Sequence, residues 1–151
     1  MALTVLLCTD GSELAHHALA AGLAVVGKPD RVVVATVVEA VDPTLVVGTG
    51  FAGGVMGPEQ ALQMADIADT AAQQTLDSTV GSLKLDGAEK TVLVGHAGPV
   101  LCDYATTLPA SVIIIGTRGR GGLKRAVLGS VSDHVVRHAP CPVLTVTSSG
   151  D

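Results

Sequence analysis

Residues 111–130 read SVIIIGTRGRGGLKRAVLGS. Residues 112–115 form a continuous apolar run, which is typical of a strand that is buried on both faces of a parallel sheet. A glycine-rich loop follows this strand directly and leads into a helical pattern. Such a loop suits a phosphate group, because glycine lets backbone N–H groups approach the oxygens and the helix N-terminus is positive. The stretch predicts an α/β fold with an anion site beyond this strand.

Four further apolar runs have the composition of strands. Together with the run described above, the five predicted strands are residues 3–9, 31–38, 91–95, 111–116 and 142–147. Helical spacing of apolar residues lies between them: from Ser12 to Gly27, from Pro58 through Val80, over 100–108 and over 127–135. Strands that alternate with helices predict one α/β domain over residues 1–151, with an open parallel sheet of five strands and right-handed crossovers.

Composition and charge exclude some classes of function. Phe51 and Tyr104 are the only aromatic residues, so the core must consist of Val, Ile, Leu and Ala, and base-stacking platforms for nucleic acid are not expected. The net charge of -5 disfavours unspecific binding to DNA or to an anionic membrane. We therefore expect neither a nucleic-acid nor a membrane partner.

The three cysteines and the N-terminus bear on location. Cys8, Cys102 and Cys141 are widely spaced and form no CxxC pair, so neither a zinc site nor a redox dithiol is indicated. Free thiols fit a reducing compartment. The first apolar run meets Asp10 after a few residues, which is too short for a signal peptide or a membrane span. We expect a cytoplasmic protein.

The loop after the fourth strand gathers positive charge. Arg118, Arg120, Lys124 and Arg125 are four of the nine Lys and Arg residues of an acidic chain. An anion at this loop is the favoured interpretation, and a solvated basic turn is the alternative. Ser130, with an acidic residue three positions later, has the pattern of a capping box, so it is expected to cap the last helix with or without a ligand.

A second polar stretch, Thr9-Asp10-Gly11-Ser12, ends the first strand. Ligands of open parallel sheets bind beyond the carboxyl ends of the strands, where the strand order reverses. If the first and fourth strands are neighbours, Asp10 and Gly116 face one crevice. Asp10 could then bind a ribose, a base edge or a metal-bound phosphate. The alternative is a helix-entry turn in which Asp10 or Ser12 is the N-cap.

The spacing Gly116-x2-Gly119-x9-Gly129-Ser130 resembles the nucleotide motif of ATP-binding universal stress proteins. The resemblance extends to the opening strand and to the ending around Pro140 and Pro142. It implies the strand order 3-2-1-4-5, binding of ATP, with or without Mg²⁺ and with other adenine nucleotides still open, and a homodimer formed through the last strand. Ser111 departs from the family, which often has Asp there, and the glycine-rich stretch 48–57 is unusual; whether that stretch is a lid is left open.

The resemblance also implies roles for single residues. Asp10 and the backbone near Val37 would lie by the adenine and ribose, while the glycines and Ser130 would hold ribose and phosphates. The full predicted nucleotide-binding set is Asp10, Gly11, Ser12, Val37, Gly116, Arg118, Gly119, Gly129, Ser130, Val131 and Ser132. No catalytic and no metal-binding residue is assigned.

The binding module, with at most slow ATP hydrolysis, competes with an enzyme interpretation. A hydrolase or nucleotidyl transferase would need a base or nucleophile, for which Asp10, Asp133 and His96 are the nearby candidates. The GxGxxG at residues 48–53 lies after the second strand and leads to further glycines, so a flexible loop is favoured over a dinucleotide site. His134 and His138 are four apart but lack a clear third ligand, so surface histidines are favoured over a metal site.

Overall fold

The architecture was determined as a computed structural model, which describes residues 1–40, 57–117 and 128–147. Five strands alternate with four helices along the chain. The strands are β1 (Thr4–Cys8), β2 (Arg31–Val38), β3 (Glu89–Val94), β4 (Val112–Gly116) and β5 (Val143–Val146). The helices are α1 (Glu13–Val26), α2 (Pro58–Leu83), α3 (Ala97–Thr107) and α4 (Ser130–His138).

The strands form one parallel sheet in the order β3-β2-β1-β4-β5. The predicted fold class and the order implied by the family resemblance are therefore confirmed. The chain winds outward from β1 to β3 on one side and continues through β4 to β5 on the other. The order consequently reverses between β1 and β4, which are neighbours in register, with Cys8 opposite Ile115.

Two apolar layers cover the two faces of the sheet. Alternate residues of β1 point to opposite faces: Leu6 belongs to the layer beneath α3 and α4, and Leu7 to the layer beneath α1 and α2. Within residues 1–40, 57–117 and 128–147, all the fully buried large side chains except that of Thr79 are Val, Leu or Ile. This composition agrees with the aliphatic core that the scarcity of aromatic residues predicts.

The predicted ends of α1 are those of the structure. The Ser12 hydroxyl accepts a hydrogen bond from the Ala15 N–H at 3.1 Å, and Gly27, with a φ of 85°, ends the helix. Within α1, Gly22 lies so close to β4 that a Cβ there would overlap the Ile114 side chain. Among the described residues, no helix combines the length and the apolar character needed to cross a bilayer.

The last helix begins later than its apolar pattern predicts. The pattern over residues 127–135 includes Leu128, but α4 begins at Ser130 and Leu128 precedes it. Val127 and the GxGxxG at 48–53 lie outside the described residues, as does most of the glycine-rich stretch 48–57. The other elements begin and end within a few residues of their predicted positions.

Candidate functional site

A crevice is expected where the strand order reverses, and the polar stretch after β1 lies there. The register of β1 with β4 places Thr9 level with Gly116, because Cys8 pairs with Ile115. Asp10 and Thr117 follow at the same edge of the sheet. The condition set by the sequence, that the first and fourth strands be neighbours, is met.

A cavity of about 490 Å³ opens beside the end of β1. This volume is in the range of pockets that hold small molecules, roughly 300–1,000 Å³. The walls come from the β1–α1 turn, from the end of β2 and from one face of α2. The lining residues are Asp10, Gly11, Thr36, Val37, Val38, Ala71, Ala72, Gln74, Thr75 and Ser78.

The turn after β1 is ordered by Asp10 itself. Its Oδ1 accepts hydrogen bonds from the Ser12 N–H at 2.9 Å and from the Ser12 hydroxyl at 2.6 Å. Ser12 is the N-cap of α1, so of the two N-cap candidates the structure selects Ser12. Gly11 has a φ of 79°, and a Cβ there would lie 2.9 Å from Thr75 Cγ2. The turn therefore needs glycine for its backbone and for its close contact with α2.

The N-terminus of α4 is held against the end of β4. The Gly129 N–H donates to the Thr117 carbonyl at 3.0 Å, while the Thr117 N–H donates to the Val146 carbonyl of β5 at 3.1 Å. The Gly129 carbonyl accepts the Asp133 N–H at 2.9 Å and the Ser132 hydroxyl at 3.0 Å. The first N–H groups of a helix have no partner within it and point outward, so α4 presents donors and a positive dipole end beside β4.

The capping box predicted at Ser130 is wrong. The N-cap is Gly129, and Ser130 is the first helical residue, with an exposed side chain. The hydrogen bond to Thr117 keeps Gly129 extended, with a ψ of 163°, so Gly129 takes the N-cap position and the helix begins one residue earlier than the capping box suggests. Asp133 is then one position too far along the helix to close the box, and its carboxylate pairs with Arg137 at 3.0 Å.

The predicted nucleotide-binding residues fall into separate groups. Asp10, Gly11 and Val37 line the cavity. Gly116 ends β4, and the segment from Gly129 to Ser132 begins α4.

Three members of the predicted set are engaged elsewhere. Ser12 caps α1 and does not line the cavity, and the Ser132 hydroxyl bonds within its own turn. The Val131 side chain packs on the core beneath α4. Arg118 and Gly119 lie outside the described residues, as do Arg120, Lys124 and Arg125.

The wall from α2 was missed by the sequence reasoning. Gln74, Thr75 and Ser78 are polar residues on the cavity side of a helix whose buried stripe is Ala72 and Leu76. These three polar residues lie next to the buried stripe in the sequence, and that proximity could have predicted them as residues at the border of the sheet-facing side of α2. Thr36 and Val38 of β2 were also missed, although they adjoin Val37 at the carboxyl end of their strand.

The thiols are poorly suited to act as nucleophiles or metal ligands. Burial raises the pKa of Cys8 from 9.0 to about 12, and neighbouring thiols add to the shift. Burial also raises the pKa of Cys102 and of Cys141. A thiolate is the reactive form of cysteine. In the part of the chain that the structure describes, no three His, Cys, Asp or Glu side chains are grouped to hold a metal ion.

A family model described as the universal stress protein family matches residues 1–147. The chain belongs to the universal stress protein family. Among curated relatives, a universal stress protein of Synechocystis is 39% identical over 79 residues, which is 51% of each chain. A universal stress protein A-like protein of Arabidopsis thaliana is 31% identical over 65 residues, 43% of this chain and 37% of the relative. These matches span about half or less of the relatives' length.

Solved structures share the fold of this universal stress protein chain. Hypothetical protein MJ0577 has a TM-score of 0.78 and 23% identity, with coverage of 100% of this chain and 99% of that one. A universal stress protein family protein of Arabidopsis thaliana with bound AMP has a TM-score of 0.65 and 19% identity, with coverage of 99% and 94%. A universal stress protein in complex with cAMP has a TM-score of 0.63 and 23% identity, with coverage of 98% and 99%. At these identities the likeness concerns the fold.

Proposed function

We propose that this universal stress protein binds ATP in the crevice beyond β1 and β4, and acts as a nucleotide-dependent regulatory module of the stress response in the cytoplasm. One observation carries the proposal: a cavity of nucleotide size beside Asp10 opens at the same edge of the sheet at which α4 begins beside β4, where the strand order reverses. The cavity suits a base and ribose, and the N-terminus of α4 suits phosphates.

The base and ribose are assigned to the cavity. Val37, Val38 and Ala72 give it an apolar surface, and Gln74 and Ser78 give it polar groups from α2. Asp10 offers carboxylate oxygens to ribose hydroxyls. Relatives of the same fold in complex with AMP and with cAMP support an adenine nucleotide as the ligand class.

The phosphates are assigned to the α4 end. The N–H groups of Ser130, Val131 and Ser132 are the first of the helix and suit phosphate oxygens. The Gly129 N–H donates to the Thr117 carbonyl, which holds this helix end beside the end of β4. A Mg²⁺ ion would enter bound to the phosphates, as magnesium commonly does. The described residues offer no cluster of ligands for it.

Binding rather than turnover is the proposed activity, with hydrolysis slow at most. Asp10 is already engaged by Ser12, and Asp133 is paired with Arg137, so neither side chain is poised as a general base. The regulatory output would be a dimer formed through β5, an edge strand of the sheet. ATP would bias that dimer only if its two states differ in affinity for the nucleotide.

The assignment of Asp10 is tested by binding measurements on an aspartate pair. We expect Asp10→Ala to weaken ATP binding by about tenfold or more, the loss typical of a hydrogen bond to a charged group. Asp30→Ala is the matched control: its carboxylate also accepts a backbone N–H, from Leu3 at 2.7 Å, but at the opposite end of the sheet. Equal ATP affinity in wild type and Asp10→Ala would contradict the assignment.

A further inference from the structure

Among the residues that the structure describes, Thr79 of α2 is the one polar side chain in the set of fully buried large ones, and its hydroxyl lies at the centre of a network. It donates to the Thr75 carbonyl of its own helix at 2.8 Å. It also lies 3.0 Å from the Thr9 hydroxyl at the end of β1 and 3.1 Å from His16 Nε2 on α1. A single buried hydroxyl thus joins α2 to the end of β1 and to α1, which lie 70 and 63 residues earlier in the sequence.

The direction of each hydrogen bond follows from the single hydrogen atom that the Thr79 hydroxyl can donate. The Thr79 hydroxyl has one hydrogen, which goes to the Thr75 carbonyl, so its lone pairs accept from its two other partners. Thr9 therefore donates to Thr79, and His16 donates through Nε2–H. Thr9 in turn accepts the Gly11 N–H at 3.0 Å. Neutral His16 is consequently the tautomer that carries its proton on Nε2.

These bonds form a chain that runs from the β1–α1 turn into α2. The Gly11 N–H donates to Thr9, Thr9 donates to Thr79, and Thr79 donates to a helix carbonyl. Bonds aligned in one direction polarise and strengthen one another. Gly11 also touches the Thr75 side chain closely, so the turn is both bonded to α2 and packed on it.

The network lies beside the cavity without lining it. Asp10, Gly11 and Thr75 line the cavity, whereas Thr9, His16 and Thr79 do not. The chain of hydrogen bonds therefore fixes the distance between the turn that carries Asp10 and the cavity wall formed by α2. A substitution at Thr79 would therefore shift the α2 wall relative to the Asp10 carboxylate without replacing any residue that lines the cavity.

We propose that Thr79 is a positioning residue for the nucleotide: through Thr9, its buried hydroxyl holds the turn that carries Asp10 against α2. This inference rests on the proposed nucleotide function. Thr79→Val removes the hydroxyl at nearly constant volume, and Thr79→Ser restores it. The matched control is Thr106→Val, because the Thr106 hydroxyl also bonds the carbonyl four residues back in its helix, at 3.1 Å, away from the cavity.

The test is the ATP dissociation constant of each folded variant by calorimetry. We expect about a tenfold weakening in Thr79→Val, recovery to within about threefold of wild type in Thr79→Ser, and no change in Thr106→Val. Equal affinity in Thr79→Val and wild type would overturn the inference and leave the proposed function intact. Absence of ATP binding in the wild type would instead remove the proposed function, so the two failures are distinct.

A second readout separates positioning from general loss of stability. Nitrogen-detected NMR of the imidazole ring reports which nitrogen carries the proton. We expect the Nε2–H form of His16 in wild type and Thr79→Ser, and a shifted tautomer balance in Thr79→Val. If Thr79→Val fails to fold, His16→Ala, which removes one donor of the network, takes its place and is expected to weaken ATP binding about threefold. Unchanged affinity in that variant would overturn the inference.

Discussion

Cys8 lies in the centre of the sheet with 6% of its surface exposed, and its pKa of about 12 is well above the ordinary 9.0. The shift is mainly the cost of burying a thiolate, because the buried group holds its proton more tightly than the same thiol in the unfolded chain. The raised pKa couples the stability of the fold to pH in the alkaline range.

The sign of this coupling gives a prediction at pH 9 to 12. Above pH 9 the unfolded chain has lost the Cys8 proton and the folded chain keeps it, so the free energy of unfolding falls as pH rises. Each such thiol contributes a slope of up to about 1.4 kcal/mol per pH unit. Urea titrations at pH 8, 9, 10 and 11 should show a smaller fall in Cys8→Ala than in wild type. Parallel curves for the two proteins would contradict the raised pKa.

Single residues of the site differ in how far the sequence predicts them. Asp10 and Val37 could be placed because they follow or end strands whose carboxyl ends must share one edge of the sheet. Thr79 could not be placed: its partner Thr9 is 70 residues away, and which face of α2 meets β1 depends on tertiary packing.

At the level of elements, β5 combines an edge position with half-buried residues throughout. The Pro142 carbonyl accepts the Ile113 N–H of β4, and the Val146 carbonyl accepts the N–H of Thr117, directly after β4. Alternate residues of a strand direct their backbone groups to opposite sides, so Thr145 directs its N–H to the free edge. This edge is where the proposed homodimer would form by strand pairing.

Removal of that edge donor tests the dimer. We expect Thr145→Pro, which lacks the N–H, to shift the mass in solution from about twice 15.1 kDa toward 15.1 kDa. Thr145→Val keeps the N–H and is the control, and thermal unfolding of each variant checks that β5 is intact. A wild type that is monomeric in light scattering, or a Thr145→Pro variant that stays dimeric, would count against pairing through this edge.

The elements themselves follow from periodicity and from breaker residues. Ser12, Gly27 and Pro58 mark helix ends that the structure confirms, because each acts through its own backbone or a neighbouring N–H. The start of α4 does not follow, because the bond from Gly129 to Thr117 joins the loop to β4 and overrides the local capping pattern. Local sequence signals mispredict a helix end where a tertiary hydrogen bond fixes its position.

For the whole molecule, alternating strands and helices leave few topologies, so the parallel sheet was predictable from the sequence alone. The order 3-2-1-4-5 came from the family resemblance and not from periodicity, since hydrophobic runs do not say which strands are neighbours. That order brings Asp10 and the α4 N-terminus to the same edge of the sheet although they are far apart in the sequence. The proposed function depends on this convergence.

The most direct measurement of the central claim is a calorimetric titration of the nucleotide-free protein with ATP, beside a Gly116→Val, Gly119→Val double variant of confirmed fold. We expect saturable binding in the wild type and its loss in the variant, because the family resemblance assigns both glycines to the ribose and phosphates. A wild type that takes up no ATP would contradict it, as would a double variant that binds ATP with wild-type affinity.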